Sequence, residues 1–200
     1  MSRKQAQIGI TGGIATGKST VTEYLERRYG LPVFDADVYA REAVQPESPI
    51  FERVVQRYGE SIQLPEGGLN RQQLGEIVFN HPVERQWLEQ QIHPYVRDRL
   101  YTILNQSSPQ DTLVFSIPLL FEAQMTHLVE EIWVIYCSEE QQIERLMNRN
   151  HLTLDQAQMR INSQMPLDEK VQRGDRLLDN SSTESELFQQ IDRLLQRYRL

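Results

Sequence analysis

The stretch GITGGIATGKST, residues 9–20, decides the fold of this chain. It matches the pattern G-x-x-x-x-G-K-[ST] at every fixed position, with Gly12, Gly17, Lys18 and Ser19. The preceding QIGIT is short and rich in β-branched residues, which is typical of a buried strand. The following KSTVTEYLERRYG has helical spacing and ends in a glycine where a helix C-cap would fall. A strand, a loop and a helix in this order predict a phosphate-binding P-loop rather than a flexible turn.

The residue types of the loop match the chemistry of a polyphosphate. Backbone N–H groups approach phosphate only where side chains are small, and a helix N-terminus adds aligned donors and partial positive charge. We expect Lys18 to contact the β- and γ-phosphates and the Ser19 hydroxyl to bind Mg²⁺. The predicted nucleotide-binding residues of the loop are Gly12, Gly13, Ala15, Thr16, Gly17, Lys18, Ser19 and Thr20.

Length and composition indicate one soluble globular domain over residues 1–200. The hydrophobic fraction is 39% and the charged fraction 24%, both ordinary values. No apolar run approaches the roughly 20 residues that a membrane span needs, and the N-terminal MSRKQAQ lacks a signal-peptide core. The single cysteine, Cys137, excludes an intrachain disulfide and is expected to pack in a strand. We therefore expect a cytoplasmic protein.

The charge balance argues against a nucleic-acid partner. The net charge is −7, whereas nucleic-acid-binding domains are usually basic. An anionic ligand must therefore be held by local charge. Arginine outnumbers lysine 18 to 3, and its planar fork of donors suits phosphate, although most of these arginines are read as ordinary surface residues.

The hydrophobic pattern predicts strands that alternate with helices. After the first strand, further strands are expected at 31–37, 112–117, 131–137 and 175–180. Residues 38–105 have a helical pattern, in which Pro94 should break or kink the longest helix. Capping boxes are predicted at Ser138–Gln141 and at Thr153–Gln156, and Pro166 should close the second helix. Five strands alternating with helices predict an α/β fold, with a parallel sheet covered by helices on both faces.

Two aspartates follow the second predicted strand. Asp35 and Asp37 are two residues apart, so on an extended segment both project to the same side. They lie at the carboxyl end of the strand, where ligands bind in such sheets. A carboxylate there can orient and deprotonate an acceptor hydroxyl. The competing interpretation is that these residues cap a helix or lie in a solvated turn. Arg41, one helical turn beyond Asp37, can pair with it or hold a substrate phosphate.

Other classes of P-loop protein fit less well. A GTPase would carry an N-K-x-D motif, which is absent from this sequence. A remodelling ATPase would need an acidic strand end for its attacking water, but the third strand ends in Ser116, Ile117 and Pro118. A small-molecule kinase, with a helical insert at 40–105 gripping the acceptor, is favoured. A nucleoside or nucleotide kinase and a regulatory switch without turnover remain the alternatives.

The sequence resembles the dephospho-CoA kinase family along nearly its whole length. GITGGIATGKST, DADVYAR, IHPYVR, PLLFE and RLMNRNHLTLDQAQMRINSQMPLDEK followed by GDRLLDN match that family in order. The resemblance implies transfer of the γ-phosphoryl group of ATP to the ribose 3′-hydroxyl of dephospho-CoA, the last step of coenzyme A synthesis. It also implies the P-loop kinase fold, a CoA-binding insert at 40–105 and a small helical lid at 145–170. We expect a monomer without nucleic-acid or membrane partners.

The family roles transfer to individual positions of this chain. Asp37 is expected to be the catalytic base, with Asp35 as the second candidate. Arg145 and Arg149, one turn apart, should meet the ATP phosphates as the lid closes, and Asn180 should approach the adenine. His93 is interpreted as a hydrogen-bonded structural group more than as a base. The residues assigned to the acceptor side are Asp37, Arg41, His93, Leu119, Phe121, Glu122, Arg160 and Gln164.

Three positions depart from the family pattern. Ala15 stands where glycine is frequent, and its methyl group should fit if the backbone there is not left-handed. Ser116 stands where many members carry an acidic residue, so we assign no metal ligand at that position. Gly174 replaces a common alanine, which we expect to matter little.

Overall fold

The computed structural model describes residues 6–108 and 110–198. Residues 1–5, which include Lys4 and most of the N-terminal MSRKQAQ, lie outside the described residues. The chain divides into two compact units. The core unit is formed by the chain up to Asp35 and from Gln106 onward, and the helical unit is Ala36–Asn105.

A parallel sheet organises the core unit. Its strands, within the described part of the chain, are β1 (Gln7–Gly12), β2 (Val33–Asp35), β3 (Leu113–Ser116), β4 (Glu131–Tyr136) and β5 (Arg176–Asp179). The spatial order is β2-β3-β1-β4-β5 and every pairing is parallel. β1 lies in the centre, so the loop that follows it begins at the middle of the carboxyl edge of the sheet. The predicted fold class is confirmed.

Helices join the strands and form the helical unit. In chain order they are α1 (Lys18–Tyr29), α2 (Ala36–Ala43), α3 (Pro49–Tyr58), α4 (Arg71–Asn80), α5 (Pro82–Gln106), α6 (Glu139–Asn150), α7 (Leu154–Asn162), α8 (Leu167–Arg173) and α9 (Glu184–Leu195). Both predicted capping boxes are present, at the start of α6 and of α7. α8 was not predicted: Pro166, expected to close the preceding helix, is the N-cap of a new one.

The prediction for the second strand was wrong at its carboxyl end. β2 stops at Asp35 and α2 begins at Ala36, so Asp37 lies in the first helical turn and does not share an extended segment with Asp35. Burial of Ala36 and Ala43, seven residues apart, explains the helix, because two turns bring these positions to one face.

A break or a kink was expected at Pro94, and the helix is not broken there. α5 is one helix from Pro82 to Gln106 with Pro94 inside it. A proline removes the donor for the carbonyl four residues earlier. That carbonyl belongs to Gln90, an exposed residue that water can reach, so the missing bond costs the helix little.

Each unit has its own apolar core. In the core unit, Ile8, Ile10, Leu25 and Trp133 are fully buried between the sheet and the helices. In the helical unit, buried residues of α2, α3 and α4 pack with Ile62 and Leu69. Among the described residues, no helix combines the length and the apolar character that crossing a membrane requires.

An ion pair with an aromatic neighbour links α3 to α5 in the helical unit. Arg57 Nε lies 2.6 Å from Glu84 Oε2, and its guanidinium carbon lies 4.5 Å from the centre of the Trp87 ring. Hydrogen bonds from Arg57 and Tyr58 lower the pKa of Glu84 to about 2. The helical unit is therefore held by a directional polar contact as well as by its apolar core.

Candidate active site

The loop between β1 and α1 has P-loop geometry. Gly17 is the N-cap of α1, with a left-handed backbone at φ 98° and ψ 28°. A Cβ added at Gly17 would overlap Asn180 Nδ2, so a side chain there is excluded by space as well as by conformation. Thr16 is fully buried, and its hydroxyl donates to Gly13 O over 2.9 Å. The loop is thus tied to itself and packs against Asn180, the residue that follows β5.

The groups expected to meet phosphate lie at the start of α1. Lys18 Nζ donates to Gly13 O at 2.7 Å and to Gly12 O at 3.3 Å, so its side chain lies along its own loop. Ser19 follows in the first turn and is exposed. The amino end of α1 therefore combines a cation, an exposed hydroxyl and helix N–H groups, which together favour a polyphosphate.

Two side chains that were predicted to contact the nucleotide donate hydrogen bonds at the P-loop. Arg145 donates to Ala15 O at 3.2 Å and to Asn180 O at 3.0 Å. Asn180 Nδ2 donates to Thr16 O over 2.8 Å, and this residue is buried. Arg149, one turn after Arg145, is exposed and its Nε donates to Asn150 Oδ1 at 3.0 Å. The structure brings Arg145 and Asn180 to the P-loop, where both hold its carbonyl groups.

Ala15 was expected to fit only if its backbone is not left-handed, and the backbone there is left-handed. Its φ is +60°, inside the left-handed region, where a methyl group was not expected to fit. Such a conformation brings Cβ close to the following carbonyl oxygen and is unfavourable for alanine. The surroundings of the loop must hold it there.

The residues of the PLLFE segment, 118–122, pack within the core unit. Phe121 is buried under the guanidinium of Arg173, whose central carbon lies 4.7 Å from the ring centre. Glu122 Oε1 lies 2.8 Å from Lys170 Nζ and accepts the Met165 N–H at 3.1 Å. Lys170 is fully buried and also donates to Pro118 O at 3.0 Å. An acceptor-side role for Leu119, Phe121 and Glu122 stays a prediction.

Sequence reasoning missed Lys170. The one signal in the sequence was rarity, since lysine occurs only three times in this chain. A lysine is almost never fully buried without a partner, so the burial of Lys170 requires its ion pair. The pair with Glu122 joins α8 to the turn after β3, and it holds a fully buried ammonium group against a carboxylate side chain that is 23% exposed. Its role is to fix that turn.

We expect Lys170→Met to destabilise the protein by about 3 kcal/mol, because it leaves a largely buried carboxylate without its cation. Thermal unfolding followed by circular dichroism measures the loss. Glu169→Gln is the matched control in the same helix, since its partner Arg173 lies 3.4 Å away on the half-exposed surface. The control should cost at most about 1 kcal/mol. Equal melting temperatures for both variants would contradict the structural role of Lys170.

The helical unit brings a second set of predicted residues together. A cavity of about 280 Å³ is lined by Asp37, Arg41 and Arg71. Its apolar wall is formed by Ala40, Val44, Leu69, Leu74, Gly75, Val78, Leu88 and Ile92. Arg71, at the start of α4, was missed; thirty residues separate it from Arg41, whose carbonyl it contacts at 3.3 Å, and no local pattern relates the two. A carboxylate and two guanidinium groups beside an apolar wall suit an anionic ligand with an apolar part.

The remaining predicted residues are placed as follows. His93 is half-buried on α5, where burial lowers the pKa of its imidazole, and its neighbour Ile92 lines the cavity. Arg160 is half-buried near the end of α7 and its carbonyl accepts the Ser163 hydroxyl. Gln164 Oε1 accepts the Ile14 N–H over 2.9 Å, so it contacts the P-loop. Asp35 ends β2 in the core unit, whereas Asp37 belongs to the helical unit.

Neither the cysteine nor a cluster of acidic side chains indicates another chemistry. Cys137 is buried as predicted, although it lies just after β4 and not in the strand, and burial raises the pKa of its thiol, which keeps the thiol protonated. Within residues 6–108 and 110–198, no group of three or more His, Cys, Asp or Glu side chains is arranged to hold a metal ion. Mg²⁺ in kinases is commonly held by one or two protein groups together with substrate phosphates and water, so the exposed Ser19 hydroxyl beside the predicted phosphate site fits it.

Comparisons with known proteins identify the family of this chain. The model of the dephospho-CoA kinase family matches residues 6–186. The dephospho-CoA kinase of Trichormus variabilis is 59% identical over 189 residues, which cover 94% of this chain and 95% of that protein. A solved structure of a Thermus thermophilus protein has a TM-score of 0.77 and 32% identity, with coverage of 97% and 98%. The dephospho-CoA kinase from Campylobacter jejuni has a TM-score of 0.69 and 27% identity, with 96% of each chain covered. Because the family model spans most of the core unit and the whole helical unit, the chain belongs to the dephospho-CoA kinase family.

Proposed function

We propose that this protein transfers the γ-phosphoryl group of ATP to the ribose 3′-hydroxyl of dephospho-CoA, forming coenzyme A and ADP. The observation that carries the proposal is the match of one family model across residues 6–186, which include both the P-loop and the cavity of the helical unit. A coupled assay of ADP release tests it. Release should require dephospho-CoA; equal or faster release with a nucleoside or a nucleoside monophosphate as acceptor, or none with dephospho-CoA, would contradict it.

ATP is proposed to bind at the amino end of α1. Lys18 would leave the carbonyls of Gly12 and Gly13 and place its charge on the β- and γ-phosphates, and the loop N–H groups would complete the site. Mg²⁺, held by Ser19 and by phosphate oxygens, would neutralise phosphate charge when bound. Arg145 and Asn180 support this site from behind, because they hold the carbonyls of Ala15 and Thr16.

The Ser19 hydroxyl is expected to matter for the metal and little for the nucleotide. Ser19→Ala should raise the Mg²⁺ concentration needed for half-maximal activity by about tenfold, because one ligand must be replaced by water. Titration of Mg²⁺ at saturating ATP measures this shift. ADP affinity without Mg²⁺, measured by calorimetry, should stay unchanged. A loss of metal-free ADP affinity would assign Ser19 to the phosphate instead.

The acceptor is proposed to bind in the helical unit. Arg41 and Arg71 would hold its phosphate groups, and the apolar wall of the cavity would hold the adjoining part of the molecule. A second cavity of about 480 Å³ shares Val44, Leu69 and Arg71 with the first. Two cavities that share a wall suit an elongated ligand such as dephospho-CoA. Asp37, on the rim of the first cavity and exposed, is proposed to accept the proton of the ribose hydroxyl.

Arg71→Ala should raise the KM for dephospho-CoA about tenfold or more, since a hydrogen bond to a charged group is lost. The KM for ATP should stay within about twofold of wild type. Steady-state kinetics with each substrate varied in turn separates the two. Arg53→Ala, on an exposed arginine of α3 away from both cavities, is the matched control and should change neither KM. An unchanged KM for dephospho-CoA in Arg71→Ala would place the acceptor elsewhere.

We also propose that the protein acts as a cytoplasmic monomer. The single cysteine, which is buried and paired with no other cysteine, suits a reducing compartment. Light scattering after size-exclusion chromatography should give a mass near the chain mass of 23.4 kDa. Twice that mass would contradict the monomer.

A further inference from the structure

Ala15 needs an external restraint. Its left-handed backbone, at φ +60°, is a conformation that glycine adopts freely and alanine avoids. Without a restraint, an ordinary backbone with negative φ at Ala15 would be favoured over the left-handed one by about 5- to 30-fold. The contacts on the two peptide groups before Ala15 identify the restraint.

The peptide between Ile14 and Ala15 is held from α6. Gln142 Nε2 donates to Ile14 O over 2.6 Å, and only 3% of Gln142 is exposed. A Cβ added at Gly13 would overlap the same Nε2 atom, so the amide lies directly against the loop. Gln142 therefore sets the direction in which the Ile14 carbonyl points.

The peptide between Gly13 and Ile14 is held by a side chain of the segment after α7. Gln164 Oε1 accepts the Ile14 N–H over 2.9 Å. Two glutamines from different elements thus bind the two polar backbone groups of Ile14, one as donor and one as acceptor. This Gln164 contact is with the P-loop, whereas the sequence predicts Gln164 on the acceptor side.

Peptide planarity gives these contacts a consequence for the nucleotide. The C=O and N–H of one trans peptide point in opposite directions. With the Ile14 carbonyl turned toward Gln142, the Ala15 N–H is turned away from it. Reversal of this peptide would relieve the strain at Ala15 and would present a carbonyl oxygen where a donor had been. An oxygen there would repel a phosphate, whereas an N–H would bind it.

We propose that Gln142 and Gln164 are positioning residues that hold the Ile14 peptides so that the Ala15 N–H faces the polyphosphate. This inference rests on the proposed ATP site at the P-loop. It adds that the donor set of that site is selected by two glutamine side chains, one from α6 and one from the segment after α7. A chain with alanine at position 15 depends on them more than one with glycine would.

A double-mutant cycle between Gln142→Met and Ala15→Gly tests the proposal, with ADP affinity measured by calorimetry. Methionine keeps the length of the side chain and removes its donor. In the parent chain, Gln142→Met should weaken ADP binding about 5- to 30-fold. In the Ala15→Gly background it should weaken binding by only about twofold, because glycine populates both conformations about equally. Equal losses in the two backgrounds would overturn the proposal, since a merely structural glutamine would not depend on residue 15.

Gln164→Met provides the second arm, which also decides the matter if Gln142→Met does not fold. It should weaken ADP binding about three- to tenfold and leave the KM for dephospho-CoA unchanged. The loss should again be smaller with Ala15→Gly. Gln158→Met, on an exposed glutamine of α7, is the matched control and should change neither value. A raised KM for dephospho-CoA with normal ADP affinity would return Gln164 to the acceptor side and overturn its positioning role.

The same ADP-binding measurements distinguish a failure of this inference from a failure of the proposed ATP site on which it rests. If the parent chain binds ADP and Lys18→Met weakens that binding, the ATP site stands whatever the cycle shows. If the parent chain does not bind ADP, the proposed ATP site fails first. Normal ADP binding with no coupling between residues 15 and 142 removes the positioning role alone.

Discussion

Lys18→Met should lower kcat/KM by about 10²–10³-fold, the usual effect of removing one preorganised charge from a site where negative charge is transferred. Methionine keeps the apolar stem of the side chain and removes the ammonium group. In the structure that group contacts two carbonyl oxygens of its own loop, at 2.7 and 3.3 Å, and Lys18 is only half-buried. The melting temperature should therefore move by less than about 4 °C.

The chain offers a matched contrast for this variant. Lys18→Met and Lys170→Met remove the same group, one from the edge of the P-loop and one from a fully buried ion pair with Glu122. The first should lose activity and keep its stability, and the second should lose stability. Assays with ATP and Mg²⁺ and thermal melts of both variants measure the difference. Activity near that of the wild type in Lys18→Met would mean that the P-loop assignment is wrong.

Asp37→Asn should lower kcat strongly and leave the affinity for ATP nearly unchanged. Asparagine keeps the shape of the side chain and can still accept a hydrogen bond, but it does not take up the proton of the acceptor hydroxyl. General-base contributions run to about 10²–10⁴-fold. A loose phosphoryl-transfer transition state needs less help from a base, so a loss near the lower end is expected if Asp37 mainly orients the hydroxyl.

Asp35→Asn is the internal control for this role. Asp35 ends β2 and Asp37 lies in the first turn of α2, so the two carboxylates belong to different elements although only one residue separates them. Single-turnover rates of both variants at saturating ATP compare them without product release. A much larger loss in Asp35→Asn would exchange the two roles. Losses of no more than a fewfold in both would make the DAD segment structural.

Local signals predicted much of the architecture correctly. The P-loop was identifiable because its glycines, its lysine and its serine stand within eight consecutive residues between a strand and a helix. The capping boxes at Ser138 and Thr153 were equally local, since each needs two side chains three residues apart. Near-continuous apolar runs identified β3 and β4, because strands buried on both faces carry no alternation.

Boundaries between elements were less predictable. Asp37 was placed on an extended segment because an acidic alternation looks the same at the end of a strand and in the first turn of a helix. Pro94 was expected to break or kink α5, but whether the helix continues depends on solvation of the carbonyl that the proline leaves without a donor, and hence on exposure. In both cases the deciding quantity was burial of neighbouring residues, which a local pattern does not contain.

The sequence by itself determined the parallel sheet, the P-loop and the family, because each rests on residues that are close together along the chain or on motifs in a fixed order. Only the tertiary structure decided which distant side chains act on the loop and on the turn after β3. Gln142 lies 128 positions beyond Ile14, and Lys170 lies 48 positions beyond Glu122. A hydrogen bond or a buried ion pair over such a separation depends on the packing of whole helices against the sheet. That packing placed a donor beside the Ile14 carbonyl and allowed alanine to occupy a left-handed position in the P-loop.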